Sequence, residues 1–340
     1  MTLEEIAKKM CAKGKGILAA DESTGTMDKR LTSVGVECTD KNRLNFRETL
    51  FTSDAIKSYI GGIILFDATI REKTSLGISV PELIKKNNSV VGIKVDKGAK
   101  KLAGSPEETV TEGLDGLRER LSEYYKLGAR FTKWRAVYSI GKNYPSVQNI
   151  KSNAQALARY AALVQEANMV PIVEPEVLMD GDHDIDTCYK VTTDVLNECF
   201  NELAIQKILL KGIVLKPNMI VPGFKNSKKA TSEEIAKKTL DCLKKNVPSD
   251  VPGIAFLSGG QSEQEATHNL DSINKINDTN FLITYSYGRA LQKSALKTWS
   301  KEMNNTKAIH EVFNHRAKMN GLASKGEWSH ALEVWNDLYI

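Results

Sequence analysis

Charged side chains end short apolar runs along this sequence, at spacings that suit proton transfer and anion binding. Three pairs lie two residues apart: Lys94 and Asp96, Lys133 and Arg135, and Glu174 and Glu176. Residues at this spacing point to the same face of an extended strand, so each pair presents two polar groups together. Because charged side chains are almost never buried unless they are paired, their place among Ile, Val and Leu predicts a shared polar site.

A lone lysine, Lys216, ends the apolar run 213–215 and suggests nucleophilic amine chemistry. An amine must be neutral to attack a carbonyl, and apolar surroundings with a nearby cation, here Lys133, favour the neutral form. Once an imine forms and is protonated, it is an electron sink that allows a nearby C–C bond to break. Glu174 is placed to be the base for the alcohol proton of that step.

Glycine-containing loops follow the last two apolar runs and predict a phosphate site. They are Ser258-Gly259-Gly260 and Gly288-Arg289. Backbone N–H groups of a tight loop before a helix can face an anion, and an arginine can donate to two of its oxygens. The alternative for the charged strand ends is a structural salt-bridge network, which would need no glycine loops beside it.

Eight short apolar runs carry these residues, and a polar segment with a helical pattern follows each run. The runs are 17–20, 62–66, 90–95, 130–137, 170–173, 212–216, 253–257 and 281–285. Short apolar runs are typical of parallel strands buried on both faces. Eight strand–helix units in succession predict an α/β fold, the TIM (β/α)8 barrel, with its site at the C-terminal ends of the strands. The alternative is a doubly wound open sheet, but 21–25 is not the nucleotide fingerprint expected after its first strand.

The intervals between the runs predict helices and a single domain. Apolar residues at helical spacing indicate helices over 154–167 and 232–245, and Thr2 with Glu5 resembles a capping box that opens an N-terminal helix. No stretch is rich enough in Pro, Gly and Ser to be an interdomain linker. We therefore expect one domain over 1–340, with a C-terminal tail over 321–340.

Charge and cysteine content narrow the class of protein. The net charge of +5 suits an anionic small molecule and is too dispersed for nucleic acid. The five cysteines are scattered without a CxxC, which is typical of reduced thiols in a cytoplasmic protein. The N-terminus does not resemble a signal peptide. No apolar run approaches the ~20 residues that a membrane helix needs, so we expect no membrane span.

Metal catalysis is the competing mechanism. The five histidines include no HxxxH pair and none ends a predicted strand. The loop 180–184, Asp-Gly-Asp-His-Asp, lacks the full EF-hand pattern and is expected to be solvated or salt-bridged. We therefore expect no metal site and no cofactor.

Seven segments together resemble class I fructose-bisphosphate aldolases. They are GKGILAADEST at 14–24, GIKVDKG at 92–98, KWR at 133–135, VEPE at 173–176, LKPNM at 215–219, LSGGQS at 257–262 and SYGRAL at 286–291. The resemblance covers residues 5 to 320 in order. It implies reversible cleavage of fructose 1,6-bisphosphate to dihydroxyacetone phosphate and glyceraldehyde 3-phosphate, without a cofactor, in glycolysis and gluconeogenesis.

The resemblance also implies roles for individual residues. Lys216 resembles the Schiff-base lysine, and Glu174 resembles the acid/base that dehydrates the carbinolamine and handles the C4 hydroxyl proton. Lys133 and Asp21 resemble the pair that orients the substrate and balances charge, with Glu176 in support. Contacts to the dihydroxyacetone-end phosphate are implied for Ser258, Gly259, Ser286, Gly288 and Arg289, and contacts to the sixth-carbon phosphate for Lys94, Arg135 and Arg30. Thr26 stands where the family has Ser and keeps the hydroxyl.

Other functions remain open at this point. Schiff-base aldolases that act on deoxyribose phosphate or on transaldolase substrates need one phosphate site, so Lys94, Arg135 and Arg30 argue against them. Members of the resembling family are usually homotetramers in the cytoplasm, and they also bind cytoskeletal proteins. Nothing in this sequence identifies such a partner surface.

The C-terminus departs from the family pattern, which ends in a mobile tail whose terminal Tyr aids proton exchange. This sequence ends in Asp337-Leu338-Tyr339-Ile340. Tyr339 could relay a proton or belong to a packed helix. The spacing of Trp328, Ala331, Leu332, Trp335, Leu338 and Tyr339 forms one apolar stripe and predicts the packed helix.

Overall fold

Parallel strands close into a barrel in the computed structural model, which describes residues 1–333. The strands are β1 Gly16–Ala20, β2 Ile60–Leu65, β3 Val90–Lys94, β4 Ala99–Lys101, β5 Thr109–Thr111, β6 Phe131–Tyr138, β7 Val170–Val177, β8 Val214–Leu215, β9 Gly253–Phe256 and β10 Leu282–Tyr287. Around the barrel the order is β1, β2, β3, β6, β7, β8, β9 and β10, which returns to β1. This confirms the single-domain TIM barrel, and each predicted run overlaps an observed strand.

A two-stranded antiparallel sheet was not predicted. It consists of β4 and β5 and follows the third barrel strand. All three residues of β4 are exposed, so the segment carries no apolar pattern that could have indicated it.

Helices alternate with the barrel strands. They are α1 Leu3–Met10, α2 Thr24–Thr32, α3 Asp40–Phe51, α4 Asp54–Tyr59, α5 Asp67–Arg71, α6 Val80–Lys86, α7 Leu117–Leu127, α8 Val147–Glu166, α9 Ile185–Ile205, α10 Ser232–Asn246, α11 Glu263–Lys275, α12 Arg289–Lys301 and α13 Thr306–Ala323, with 3-10 turns at Leu210–Gly212 and His330–Glu333. The capping box of Thr2 and Glu5 is present. Helix α8 begins earlier than predicted because Ser146 caps it, its hydroxyl accepting from the N–H of Asn149 at 3.1 Å.

The interior of the barrel changes from apolar to charged along its axis. At the N-terminal end, Val170 and Ile172 of β7 pack in a cluster with Ile6 and Met10 of α1, which closes that end. Side chains two residues apart share a face, so the next interior positions of β7 after Ile172 are 174 and 176. The larger apolar core lies between the strands and the outer helices. Every helix of residues 1–333 is too short or too polar to cross a membrane.

Packing at the apolar end of the barrel requires a glycine, Gly92, in β3. Phe131 of β6 pairs with Gly92 in the strand register, and its ring fills the space that a side chain on Gly92 would occupy. A β-carbon at Gly92 would lie 2.1 Å from the Phe131 ring.

The C-terminal part of the described chain differs from the predicted stripe. Trp328 is buried, and its backbone N–H donates to Asp271 at 2.9 Å, but it precedes the 3-10 turn instead of lying on an α-helix. Leu332 is 42% exposed, so the prediction of a buried helical face is wrong for residues 328–333. The burial of Trp328 and its hydrogen bond to Asp271 fix its position without the α-helix that the apolar spacing predicted. Trp335, Leu338 and Tyr339 lie outside the described residues.

We expect Gly92→Ala to lower the free energy of unfolding by about 1–3 kcal/mol, because overpacking forces the Phe131 ring to move. The matched control is Gly25→Ala in α2, where a β-carbon meets nothing within 4 Å. That change should be neutral or stabilising, since Ala costs less backbone entropy than Gly in a helix. Urea unfolding of both variants is the measurement, and an unchanged midpoint for Gly92→Ala would contradict the packing account.

Candidate active site

Two buried lysines share one carboxylate at the C-terminal end of the barrel. Lys216 Nζ lies 3.0 Å from Glu174 Oε1, and Lys133 Nζ lies 3.5 Å from Glu174 Oε2. Lys133 Nζ also lies 2.7 Å from Asp21 Oδ2. The four side chains form a continuous chain of ion pairs, which we call the central network.

Four different strands bring the central network together. Asp21 directly follows β1, Lys133 is on β6, Glu174 is on β7, and Lys216 directly follows β8. The position of Lys216 is fixed because its backbone N–H donates to the carbonyl of Val173 at 2.8 Å, which continues the ladder between β7 and β8. The structure therefore brings together the residues for which the sequence predicted amine and acid/base chemistry.

Burial and charge act against each other in this network. Burial by itself would raise the pKa of Asp21, but the neighbouring lysines, Lys133 first, outweigh it, and the pKa falls to about 2. Burial would lower the pKa of Lys133, but the carboxylates of Asp21 and Glu174 outweigh it, and the pKa is raised. Burial would raise the pKa of Glu174, but Lys216 and Lys133 outweigh it, and the pKa is lowered. The network thus holds ionised carboxylates around a charged Lys133.

Glu174 Oε2 is available to a ligand proton. It is buried, and within the described chain it makes no hydrogen bond, although Lys133 Nζ lies nearby. Unsatisfied buried polar atoms are rare in native proteins and often mark a functional group.

A second set of charges flanks the network. Lys94 is opposite Lys133 in the register of β3 and β6, and its Nζ lies 3.3 Å from Asp96 Oδ1. Arg135 pairs with the buried Glu176, and 44% of the Arg135 side chain is exposed. These residues are therefore placed at the rim of the mouth, where a phosphorylated end of a ligand could meet them.

The loop after β9 requires its two glycines. Gly259 has φ +59° and Gly260 has φ +110°, in the left-handed region that favours glycine. A β-carbon on Gly259 would lie 2.3 Å from the sulfur of Met179, and one on Gly260 would lie 2.7 Å from the Phe224 ring. The loop follows β9 and therefore lies at the C-terminal end of the barrel.

The start of α12 supplies the other half of this anion site. Gly288 is the N-cap and has no side chain to satisfy the first N–H groups of the helix, which leaves them for an anion. Ser286, at the end of β10, has a buried hydroxyl without a hydrogen-bond partner among residues 1–333. Arg289 follows and lines a cleft of about 1000 Å³. The lining of this cleft does not include Lys133, Glu174 or Lys216, so the cleft does not contain the central network.

Arg30 lies on the same side as Gly288. Its Nη2 is 3.4 Å from the position that a β-carbon on Gly288 would take, and it lines the cleft with Arg289. Thr26, in the first turn of α2, is exposed, and its hydroxyl lies 3.1 Å from that of Ser23. Arg30 therefore lies beside the loop for which the resemblance implies contacts to the dihydroxyacetone-end phosphate.

Sequence reasoning missed three polar residues behind Arg30. Glu22 pairs with Arg30, and Gln292 donates to Glu22 Oε1 at 3.2 Å and to the carbonyl of Ala19 at 2.8 Å. Arg47 donates to the carbonyl of Glu22 at 3.0 Å. The sequence does contain a signal for the burial of Arg47. Arg47 lies three residues before Leu50 and four before Phe51, and so falls on the apolar stripe of α3.

Two other acidic positions do not join the site. Asp67 accepts from Arg71 at 2.9 Å and from the hydroxyl of Tyr124 at 2.8 Å. In the loop 180–184, Asp184 caps α9 by accepting from the N–H of Thr187 at 2.7 Å. Within residues 1–333 no group of three or more His, Cys, Asp and Glu side chains is placed to hold a metal ion.

The arrangement suits attack on a carbonyl followed by proton transfer. An amine lies within hydrogen-bond distance of a carboxylate that can move protons, and a buried cation stands beside that carboxylate. Anion-binding groups lie at two parts of the mouth, one around Gly288 and one around Lys94. Such groups at two places suit a carbonyl compound with two anionic groups.

This sequence matches a known protein family over nearly its whole length. Residues 2–337 match the family described as Fructose-bisphosphate aldolase class-I. A protein of Xanthomonas campestris named probable fructose-bisphosphate aldolase class 1 is 51% identical over 96% of this chain and 98% of its own. Fructose-bisphosphate aldolase, cytoplasmic isozyme 1, of Pisum sativum is 50% identical over 95% of this chain and 90% of its own. Fructose-bisphosphate aldolase from Plasmodium falciparum, solved in complex with TRAP and a small-molecule inhibitor, has a TM-score of 0.94 at 44% identity, over 96% of this chain and 95% of that one.

The pKa of Asp21 predicts a pH dependence of stability. Its folded value of about 2 lies below the ordinary value of 3.8, so the unfolded chain binds the proton more tightly. The contribution of Asp21 is therefore complete above about pH 5 and is lost as pH falls toward 2. Between pH 5 and pH 3, wild type should lose about 1 kcal/mol more of its unfolding free energy than Asp21→Asn does. Denaturant unfolding at both pH values measures the difference, and equal losses in the two proteins would contradict the ion-pair account.

Proposed function

Because this chain belongs to the class I fructose-bisphosphate aldolase family, we propose that it cleaves fructose 1,6-bisphosphate through a Schiff base on Lys216. The products are dihydroxyacetone phosphate and glyceraldehyde 3-phosphate, and the reaction is reversible. The observation that carries the proposal is the buried Lys216 amine, 3.0 Å from a carboxylate at the mouth of a TIM barrel.

The first part of the proposed reaction joins the substrate to Lys216. Glu174 Oε1 first accepts a proton from the Lys216 ammonium, and the neutral amine attacks the C2 carbonyl. One proton of the attacking nitrogen moves to the carbonyl oxygen, and Glu174 returns its proton to the leaving hydroxyl, so that water departs and a protonated imine remains. Lys133 stands 3.5 Å from the other oxygen of the same carboxylate, where its charge favours the ionised form of Glu174. Asp21 in turn holds Lys133 at 2.7 Å.

The second part breaks the carbon chain. Glu174 takes the proton of the C4 hydroxyl, the C4 oxygen becomes the aldehyde oxygen, and the electron pair of the C3–C4 bond moves into the imine. The resulting enamine takes a proton at C3, and water releases dihydroxyacetone phosphate from Lys216. Electrons and protons balance within substrate, water and these side chains, so the step calls for no additional cofactor.

The two ends of the substrate are distinguished by the two anion-binding regions. We assign the first-carbon phosphate to Ser258, Gly259, Ser286, Gly288 and Arg289, supported by the buried unpaired hydroxyl of Ser286. Arg30 joins this group because it lies beside Gly288. We assign the sixth-carbon phosphate to Lys94 and Arg135, with Glu176 orienting the arginine. Thr26, exposed at the start of α2, is proposed to contact substrate through its hydroxyl.

The biological setting is inferred from the relatives. We propose a role in glycolysis and gluconeogenesis, a cytoplasmic location and assembly as a homotetramer. The similarity to the cytoplasmic isozyme of Pisum sativum supports the location.

Reductive trapping tests the proposal. Dihydroxyacetone phosphate with borohydride should inactivate the enzyme and attach one three-carbon unit to Lys216, because reduction makes the imine bond permanent. Peptide mapping by mass spectrometry identifies the site, and the matched control is Lys216→Met, which should remain unlabelled while it keeps its fold. Labelling at Lys133, or no labelling of wild type, would contradict the proposed mechanism.

A further inference from the structure

One buried guanidinium takes no part in the proposed reaction, although it lies directly behind the mouth. Arg47 is 2% exposed. Its Nη1 donates to the hydroxyl of Thr69 at 2.5 Å, and its Nη2 donates to the carbonyl of Glu22 at 3.0 Å. The same Nη2 lies 3.4 Å from Glu22 Oε2. A buried arginine is rarely kept without a use for its charge, because removing that charge from water is costly.

Glu22 divides its carboxylate between two guanidinium groups. Oε2 faces Arg47, while Oε1 accepts from Arg30 and from Gln292. Arg47 is fixed by its contacts to Thr69 and to the main chain. Arg30 reaches from the same carboxylate toward Gly288 and the cleft.

The charges of Arg47, Glu22 and Arg30 contribute to the electrostatic field that an anion at Gly288 meets. Two guanidinium groups and one carboxylate together carry one positive charge, since arginine stays protonated in proteins. Without Arg47, the charge of Glu22 would be balanced by Arg30 alone, and the set would be neutral. Arg30, which already pairs with Glu22, would then be held more strongly by the carboxylate and would have less attraction for a phosphate.

We propose that Arg47 is a positioning residue for substrate binding: by sharing the charge of Glu22, it leaves a net positive charge at Arg30 that attracts the first-carbon phosphate. The inference rests on the proposed function, and it extends that function to a residue that never touches the substrate. Arg47 also holds the backbone beside Asp21 through the carbonyl of Glu22. The charge effect is the part that distinguishes positioning from simple support of the fold.

The test separates charge from packing with substitutions at one position. Arg47→Gln can still donate hydrogen bonds but has lost its charge, and it should raise KM for fructose 1,6-bisphosphate by about tenfold with little change in kcat. KM for fructose 1-phosphate should rise by a similar factor, because both substrates carry the first-carbon phosphate. Arg47→Lys keeps the charge and should stay within about threefold of the wild-type KM. Thr69→Val removes a contact of Arg47 without changing charge, and it should leave KM unaltered.

A charge-compensating pair makes the test decisive. Arg47→Gln with Glu22→Gln leaves Arg30 as the single charge of the set, so KM should recover to within about threefold of wild type. In this pair both buried charges, at positions 22 and 47, are removed together, so it carries the test alone if Arg47→Gln does not fold. An unchanged KM in Arg47→Gln, an equal rise in Arg47→Lys, or a double variant weaker than the single one would each overturn the inference.

The trapping experiment keeps the two proposals apart. Borohydride with dihydroxyacetone phosphate should still label Lys216 in Arg47→Gln, although a higher concentration is needed for half-maximal labelling. If wild type is not labelled at Lys216, the proposed function fails. If wild type is labelled and Arg47→Gln needs no more dihydroxyacetone phosphate than wild type does, only the role of Arg47 fails.

Discussion

Two buried lysines share the carboxylate of Glu174 as a charge partner. This shared contact constrains the geometry of the whole barrel. Lys216 and Lys133 contact opposite oxygens of the same group, at 3.0 Å and 3.5 Å. Removing one partner of a buried pair strands the other charge away from water, which is strongly destabilising. The strand ends that carry these residues must therefore lie close together, and closure of the barrel brings them together.

The apolar end of the barrel makes this charged end possible. Phe131, Ile172 and the helix α1 fill the N-terminal interior, so the strands are held by packing that does not involve the polar groups. Interior positions two residues further along the same strands then carry Lys133 and Glu174. The glycine loop at Gly259 and the uncapped start of α12 complete the mouth with backbone donors, which bind anions without adding side-chain bulk.

The sequence predicts the place of a residue well when that residue ends an apolar strand run. It predicts less when the place of a residue depends on a contact with another part of the chain. Buried parallel strands are continuous apolar runs, so the eight-stranded barrel and residues such as Lys216 and Glu174 could be predicted. Arg47 lies on a helix far along the chain from its partner Glu22, and no periodicity reveals that contact. The stripe that begins at Trp328 was misleading because that side chain is anchored by Asp271, which spacing alone does not show. The side of the mouth on which Arg30 lies likewise depends on tertiary geometry.

The central claim is that Glu174 moves the protons that form the imine on Lys216. The most direct measurement is the single-turnover rate of imine formation with dihydroxyacetone phosphate, followed by rapid mixing and borohydride quench in wild type and Glu174→Gln. The glutamine keeps the size of the side chain and loses its basicity, so the rate should fall by about 100-fold or more. The concentration dependence of the rate should change much less, because binding of the phosphate does not involve this residue. Imine formation at the wild-type rate in folded Glu174→Gln would contradict the account.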